Sequence, residues 1–258
     1  MKAVFIGSGS VATHLSQALQ EKGVEIIQVY SRTPANAEIL ARKLKCDFTS
    51  EIYDIKTDAD IYFYALKDSA FKHFIRNFEM PDAIHAHTAG SVAMREFDGF
   101  ATKYGVFYPL QTFSKGKSVD FSQIPICIEA SSTEIQNQLL NLAKLISTKT
   151  YNITSEQRKS LHLAAVFACN YTNYMYDIAS QIMEDSGLSF EIIKPLIVET
   201  ADKVQSIKPY DAQTGPAVRY DEVTIKKHIY MLNRKSEFRK LYKLLAKGIF
   251  NRHKEKKH

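Results

Sequence analysis

The segment Lys2-Ala-Val-Phe-Ile-Gly7-Ser8-Gly9-Ser10-Val11-Ala12 constrains this chain more than any other. Five residues of apolar, β-forming character run into a G-x-G-x-x-A turn, and an amphipathic helical pattern begins at once behind it. Gly7 permits a tight turn, Gly9 lets a ligand reach the backbone, and Ala12 keeps the helix close to the strand. The first N–H groups of such a helix lack acceptors, and its dipole is positive at that end. A diphosphate suits both, so Gly7, Ser8, Gly9, Ser10, Val11 and Ala12 are expected to hold a dinucleotide. A turn of purely structural value is the alternative.

The surrounding pattern supports the expectation. Apolar runs at 2–6, 24–30, 60–66, 83–88, 104–109 and 124–129 predict strands, and 10–22, 34–45, 69–78 and 133–146 predict helices. Alternation of this kind predicts an α/β fold of Rossmann type, a mainly parallel sheet with helices on both faces. The period changes near Thr154. Thr154-Ser-Glu-Gln157 reads as a capping box, and a helix free of Gly and Pro follows to Ser186, where Gly187 supplies a left-handed stop. Further helices are expected over 196–207, 222–233 and 236–250. An all-α second domain, 154–258, therefore follows a nucleotide-binding domain, 1–153.

The end of the second strand selects the dinucleotide. It reads Tyr30-Ser31-Arg32-Thr33, with no carboxylate to accept two ribose hydroxyls. A guanidinium between two hydroxyls suits a 2′-phosphate, which favours NADP(H) over NAD(H). Thr33-Pro34 also reads as the cap and first residue of the next helix. Ligands of this fold lie beyond the carboxyl ends of the strands, which nominates Ala65, Leu66 and Lys67, and then His87-Thr88-Ala89-Gly90-Ser91. His87 could donate a proton or simply pack. His85 shares its strand face, yet no acid or cysteine accompanies the pair and no metal site is expected.

In the second half, His162, Val166, Asn170, Asn173 and Asp177 form a stripe at a regular 100° per residue, opposite Leu161, Phe167, Tyr171, Tyr174 and Ile182. The stripe faces either water or a polar cleft. Arg219, just before the capping residue Asp221, is a candidate anchor for a substrate carboxylate or an ordinary exposed turn residue.

The charge of +6 is concentrated at one end. Residues 226–258 hold 12 Lys/Arg against two Glu, leaving the first 225 residues at −4. With no nucleic-acid motif, this segment reads as a solvated helix face and a frayed tail from Asn251, and no nucleic-acid partner is expected. Three dispersed cysteines predict free, buried thiols in a reducing compartment. No apolar run reaches the roughly 18 residues of a membrane span, and the first strand is too short for a signal peptide. Cytoplasmic location and no membrane partner are expected.

Taken together, Gly-Ser-Gly-Ser-Val-Ala at 7–12, Ser-Arg-Thr at 31–33, His-Thr-Ala-Gly-Ser at 87–91, Tyr-Pro-Leu-Gln at 108–111 and Thr-Gly-Pro-Ala-Val-Arg at 214–219 resemble the bacterial NADP oxidoreductases that join a Rossmann-like domain to a helical domain of unknown function. More distantly, the chain is similar to pyrroline-5-carboxylate reductase, deazaflavin-dependent NADP oxidoreductases and 6-phosphogluconate dehydrogenase-like enzymes. The resemblance implies an active site in an interdomain cleft and a homodimer formed through the helices. It also implies an NADPH-dependent reductase acting on a C=O or C=N bond of a small metabolite. His87 or His162 would supply the proton, and Asn170 and Arg219 would hold the substrate. Two departures stand out. Val166 occupies the place, four residues before Asn170, where β-hydroxyacid dehydrogenases carry a catalytic lysine, and Tyr220 stands where a glycine is expected. The missing lysine motivates the alternative of a non-catalytic NADP(H)-binding sensor or scaffold.

Overall fold

The computed structural model describes residues 1–114 and 116–254. Eight strands form one sheet: β1 (Lys2–Ile6), β2 (Glu25–Tyr30), β3 (Asp47–Thr49), β4 (Ile61–Tyr64), β5 (Ile84–His87), β6 (Tyr104–Pro109), β7 (Ile126–Ala130) and β8 (Thr150–Asn152). Their order is β3-β2-β1-β4-β5-β6-β7-β8. Every neighbouring pair is parallel except β6 and β7. The chain crosses from one side of β1 to the other between β3 and β4, so the carboxyl ends of β1 and β4 form the switch point where such sheets bind ligands.

Both faces of the sheet are covered. Ala3 and Phe5 of β1 pack with Ile61 and Phe63 of β4 against α1 (Ser10–Glu21), α2 (Pro34–Leu44) and α4 (Thr133–Ile146). Val4, Ile6, Tyr62 and Tyr64 point the other way, toward α3 (Asp68–Ile75). Alternate residues of a strand thus serve two cores, which explains why these strands are apolar throughout.

After β8 the chain is helical. The capping box forms as expected: the Gln157 N–H donates to Thr154 Oγ1, and the Thr154 N–H donates to Gln157 Oε1. The long helix is not uniform, however. It runs as α5 (Ser155–Ala165), a π turn (Val166–Tyr171) and α6 (Thr172–Asp185). A π turn closes i→i+5 hydrogen bonds, so a stripe drawn at a constant 100° per residue does not continue through it. Its expected apolar side is also exposed at Phe167, Tyr171 and Tyr174. Gly187 has φ +67° and ends α6 as anticipated.

By packing, the chain divides into two compact units, Met1–Asn170 and Tyr171–His258. The second contains α6, α7 (Lys194–Ser206), α8 (Glu222–Met231) and α9 (Ser236–Lys254). Residues 251–254, read as a frayed tail, continue α9, and the rest of that expected tail, 255–258, lies outside the described residues. Of the cysteines, Cys127 is buried and Cys46 half-buried, whereas Cys169 is exposed because the π turn presents it outward. Among the described residues no helix is long and apolar enough to cross a membrane.

Candidate active site

At the switch point the Gly7 N–H donates to the Tyr30 carbonyl at 2.8 Å, and the Ala65 N–H donates to the Ile6 carbonyl at 2.8 Å. Gly7 has φ +119°, and a Cβ there would lie 2.9 Å from the Ala65 carbonyl carbon and closer still to its oxygen. Only glycine fits, and the reason is the approach of β4, not the ligand alone. Gly9 differs. It caps α1 with no side-chain hydrogen bond, and a Cβ on it would meet nothing within 4 Å. The first turn of α1 carries no acidic residue, and Ala12 is fully buried against the sheet. An uncapped helix start with open space before it fits a diphosphate. Ser8 is buried, and Ser10 and Val11 are half-buried in the same turn.

Ser31, Arg32 and Thr33 follow β2 at the rim. Arg32 and Thr33 are exposed, and Arg32 makes no ion pair with any described residue. Thr33 occupies the N-cap of α2 with Pro34 behind it, but its side chain makes no capping hydrogen bond. A free guanidinium beside a second uncapped helix fits a 2′-phosphate. Ala65 and Leu66 are half-buried, and the exposed Lys67 caps α3, again without a side-chain bond.

The two strand histidines are packed. His85 has both ring nitrogens engaged, Nδ1 with the Tyr64 hydroxyl at 2.7 Å and Nε2 with the Pro81 carbonyl at 3.0 Å. His87 lies fully buried between the rings of Phe71 and Phe97, and burial pulls its pKa down to about 3. Its Nδ1 accepts from the Ala89 N–H at 3.3 Å. An imidazole so placed is neutral near pH 7 and walled off by aromatic rings, which favours its packing role over proton donation.

His162 is placed differently. It is half-buried on α5, and its Nδ1 lies 3.2 Å from the Tyr108 hydroxyl at the end of β6. Gly90, in the loop after β5, supplies the space, since a Cβ there would come within 2.6 Å of His162 Nδ1. His162 Nε2 makes no hydrogen bond with any described residue. Tyr108 is nearly buried, and that burial pushes its pKa up to about 12, so it stays a phenol.

One turn before His162, Arg158 fixes α5 to the sheet. Its fully buried guanidinium pairs with Glu129 of β7, donates to the Val92 carbonyl at 2.5 Å and reaches Ser155 Oγ at 3.3 Å. Ser155 donates to Glu129 from both its backbone N–H and its hydroxyl, each at 2.9 Å, and accepts from the Met94 N–H at 3.1 Å. Sequence reasoning missed Arg158 and Glu129, and gave Gly90, within the nominated segment 87–91, and Tyr108 no role of their own. The available signal was the four-residue spacing of Arg158 and His162, which puts them on one helix face.

Asn170 is exposed at the end of the π turn. Arg219, in the second unit, is exposed beside Tyr220, whose φ of +54° is left-handed. The glycine expected at 220 is therefore a conformational requirement that this chain meets with a tyrosine whose ring lies 4.5 Å from that of Phe250, tilted by 38°. Asp221 caps α8 as expected, accepting from the Thr224 N–H at 3.1 Å.

Comparisons with known proteins agree with this architecture. Residues 2–88 match the family model described as NADP oxidoreductase coenzyme F420-dependent, and residues 124–249 match a domain of unknown function, DUF2520. A Bacteroides fragilis protein described as an NADP oxidoreductase is 46% identical over 97% of this chain and 98% of its own, with a TM-score of 0.93. A Thermotoga maritima protein, 21% identical over 99% of this chain and 100% of its own, has a TM-score of 0.73. A reductive aminase from Aspergillus terreus, solved with NADPH, is 13% identical over 91% of this chain and 87% of its own, with a TM-score of 0.71. The last two show the fold alone. No curated protein sequence matches the chain. The 46% identity over nearly the whole length places the chain in the NADP oxidoreductase family that joins a Rossmann-like nucleotide domain to a DUF2520 domain, with NADP(H) as cofactor.

Proposed function

We propose that the chain is an NADPH-dependent reductase of a C=O or C=N bond in a small metabolite. The observation that carries this reading is the half-buried His162 beside Gly90 at the carboxyl ends of the strands, the same end of the sheet as the uncapped start of α1. NADPH supplies a hydride when bound. The chain's own groups then have three tasks. The turn 7–12 holds the diphosphate, Arg32 with Ser31 and Thr33 recognises the 2′-phosphate, and Ala65, Leu66 and Lys67 border the nucleotide at the end of β4. His162 donates a proton from Nε2 to the oxygen or nitrogen that gains negative charge. The exposed Asn170 amide suits a carbonyl or imine, and the exposed Arg219 guanidinium suits a carboxylate.

The test is NADPH oxidation across a panel of ketoacids and cyclic imines. His162→Ala should lower turnover by on the order of 10² to 10⁴, and His87→Ala should act through stability instead. Unchanged turnover in His162→Ala removes the proton-donor role. No oxidation with any substrate, despite tight cofactor binding, favours a protein that holds NADP(H) without turnover.

We also infer a homodimer through the helical unit. Neither α6 nor α7 has a buried residue, and Leu196, Val198, Tyr230, Met231 and Leu244 are all more than half exposed. Amphipathic helices bury their apolar stripe against something, and a second copy of the same face meets that need symmetrically. Sedimentation at a single-chain mass would contradict it.

A further inference from the structure

The contact between Tyr108 and His162 carries a more specific inference, which rests on the reading of His162 as proton donor. Among the described residues the imidazole is held from one side, at Nδ1. Nδ1 faces the Tyr108 hydroxyl at 3.2 Å, the two rings meet nearly edge to face at 70°, and Gly90 leaves no side chain in the way. Tyr108 Cζ itself would lie 3.0 Å from a Cβ on Gly90, so the glycine makes room for both rings. The backbone that carries His162 is pinned one turn earlier by Arg158, and the strand that carries Tyr108 is pinned by its ladder to β7. Besides His162, Arg158 and Cys127 are charged or titratable neighbours of Tyr108, and the Glu129 carboxylate nearby is bound by Arg158 and Ser155.

We propose that Tyr108 is a positioning residue that accepts a hydrogen bond from the Nδ1–H of His162 and so reserves Nε2 as the atom that gains and loses the catalytic proton. The partner is a neutral phenol, so the same Nδ1–H···O contact serves both charge states of the ring. In the imidazolium, Nδ1–H points at Tyr108 and Nε2–H at the substrate. When the Nε2–H bond breaks and the substrate oxygen or nitrogen takes the proton, the ring is left neutral with its proton on Nδ1. Nothing turns, and water restores the proton at Nε2. A carboxylate in the place of Tyr108 would fix the same tautomer but would hold the proton on the ring more tightly. A phenol orients without that retention.

Histidine-selective ¹⁵N NMR on the full chain tests this directly, with the His162 signals assigned by their loss in His162→Gln. In the neutral ring, Nδ1 should resonate as a protonated nitrogen and Nε2 as a bare one. Tyr108→Phe should move the ring toward the Nε2–H form that free imidazoles favour in water, with NADPH affinity unchanged and kcat lowered about tenfold. Gly90→Ala should disturb the same two signals by crowding Nδ1. An Nε2–H ring in the unsubstituted chain, or an identical spectrum in Tyr108→Phe, overturns the proposal. If the tautomer is as stated but His162→Ala keeps full turnover, the proton-donor reading fails and the role of Tyr108 in orienting the ring stands.

Discussion

Arg158→Leu should cost about 3 kcal/mol of stability and lower Tm by on the order of 10 °C. The guanidinium is fully buried, and its partner Glu129 is only 15% exposed. Removing the cation leaves a carboxylate in a poorly solvated place and orphans the Val92 carbonyl. The damage should be local, because the pair ties the first turn of α5 to β7 and to the loop after β5. A useful control is the double change Arg158→Leu with Glu129→Gln, which removes the stranded charge while the amide can still accept from Ser155. It should recover part of the loss. A single-variant cost under about 1 kcal/mol would show that α5 is held by its apolar contacts alone. Loss of the pair should also weaken His162's seat beside Gly90, one turn along the same helix.

The two glycines of the nucleotide turn should behave in opposite ways. Gly7→Ala puts a Cβ against the Ala65 carbonyl and forces an L-residue to φ +119°, so the turn must move. Strain of this kind costs roughly 1 to 3 kcal/mol and shifts the start of α1 away from β4. NADPH binding should fall by on the order of a hundredfold, with a lower Tm. Gly9→Ala meets nothing within 4 Å in the protein, so Tm should hardly change. If the open space before α1 is where the diphosphate sits, Gly9→Ala should nevertheless lose much of its NADPH affinity. Binding and thermal shift measured on both variants separate a clash with the protein from a clash with the ligand. Unchanged binding in Gly9→Ala would move the diphosphate elsewhere.

The alternation of elements was readable because the central strands β1 and β4 are apolar on both faces and each covering helix has one apolar stripe. What escaped notice was made by partners. Asp47–Thr49 and Thr150–Asn152 are three residues long and sit at the two edges of the sheet. Pairing with β2 and β7 makes them strands, and no periodicity can be seen in three residues. The reversal of β7 leaves no mark in its composition either, since a buried strand looks the same in both directions. The turn 7–12 was legible because Gly7 answers to backbone geometry, while Gly9 borders only open space before α1. The histidines were not, because strand position says nothing about which aromatic rings arrive from α3 and from residues 94–97 to seal His87. Nor does helix periodicity reveal that Tyr108, 54 residues earlier, meets His162. Arg158 looks like any surface arginine until Glu129 and the Val92 carbonyl are brought to it. The π turn has no local signature, and it displaced the stripe drawn through Asn170.

Calorimetric titration with NADPH and NADH, on the unsubstituted chain and on Arg32→Ala, tests the central claim most directly. A dinucleotide seated at the start of α1 with its 2′-phosphate on Arg32 predicts one site per chain and a preference for NADPH on the order of 10- to 100-fold, the worth of charged hydrogen bonds. Arg32→Ala should bind the two coenzymes about equally. No heat with either coenzyme, or a preference for NADPH that survives Arg32→Ala, would contradict it.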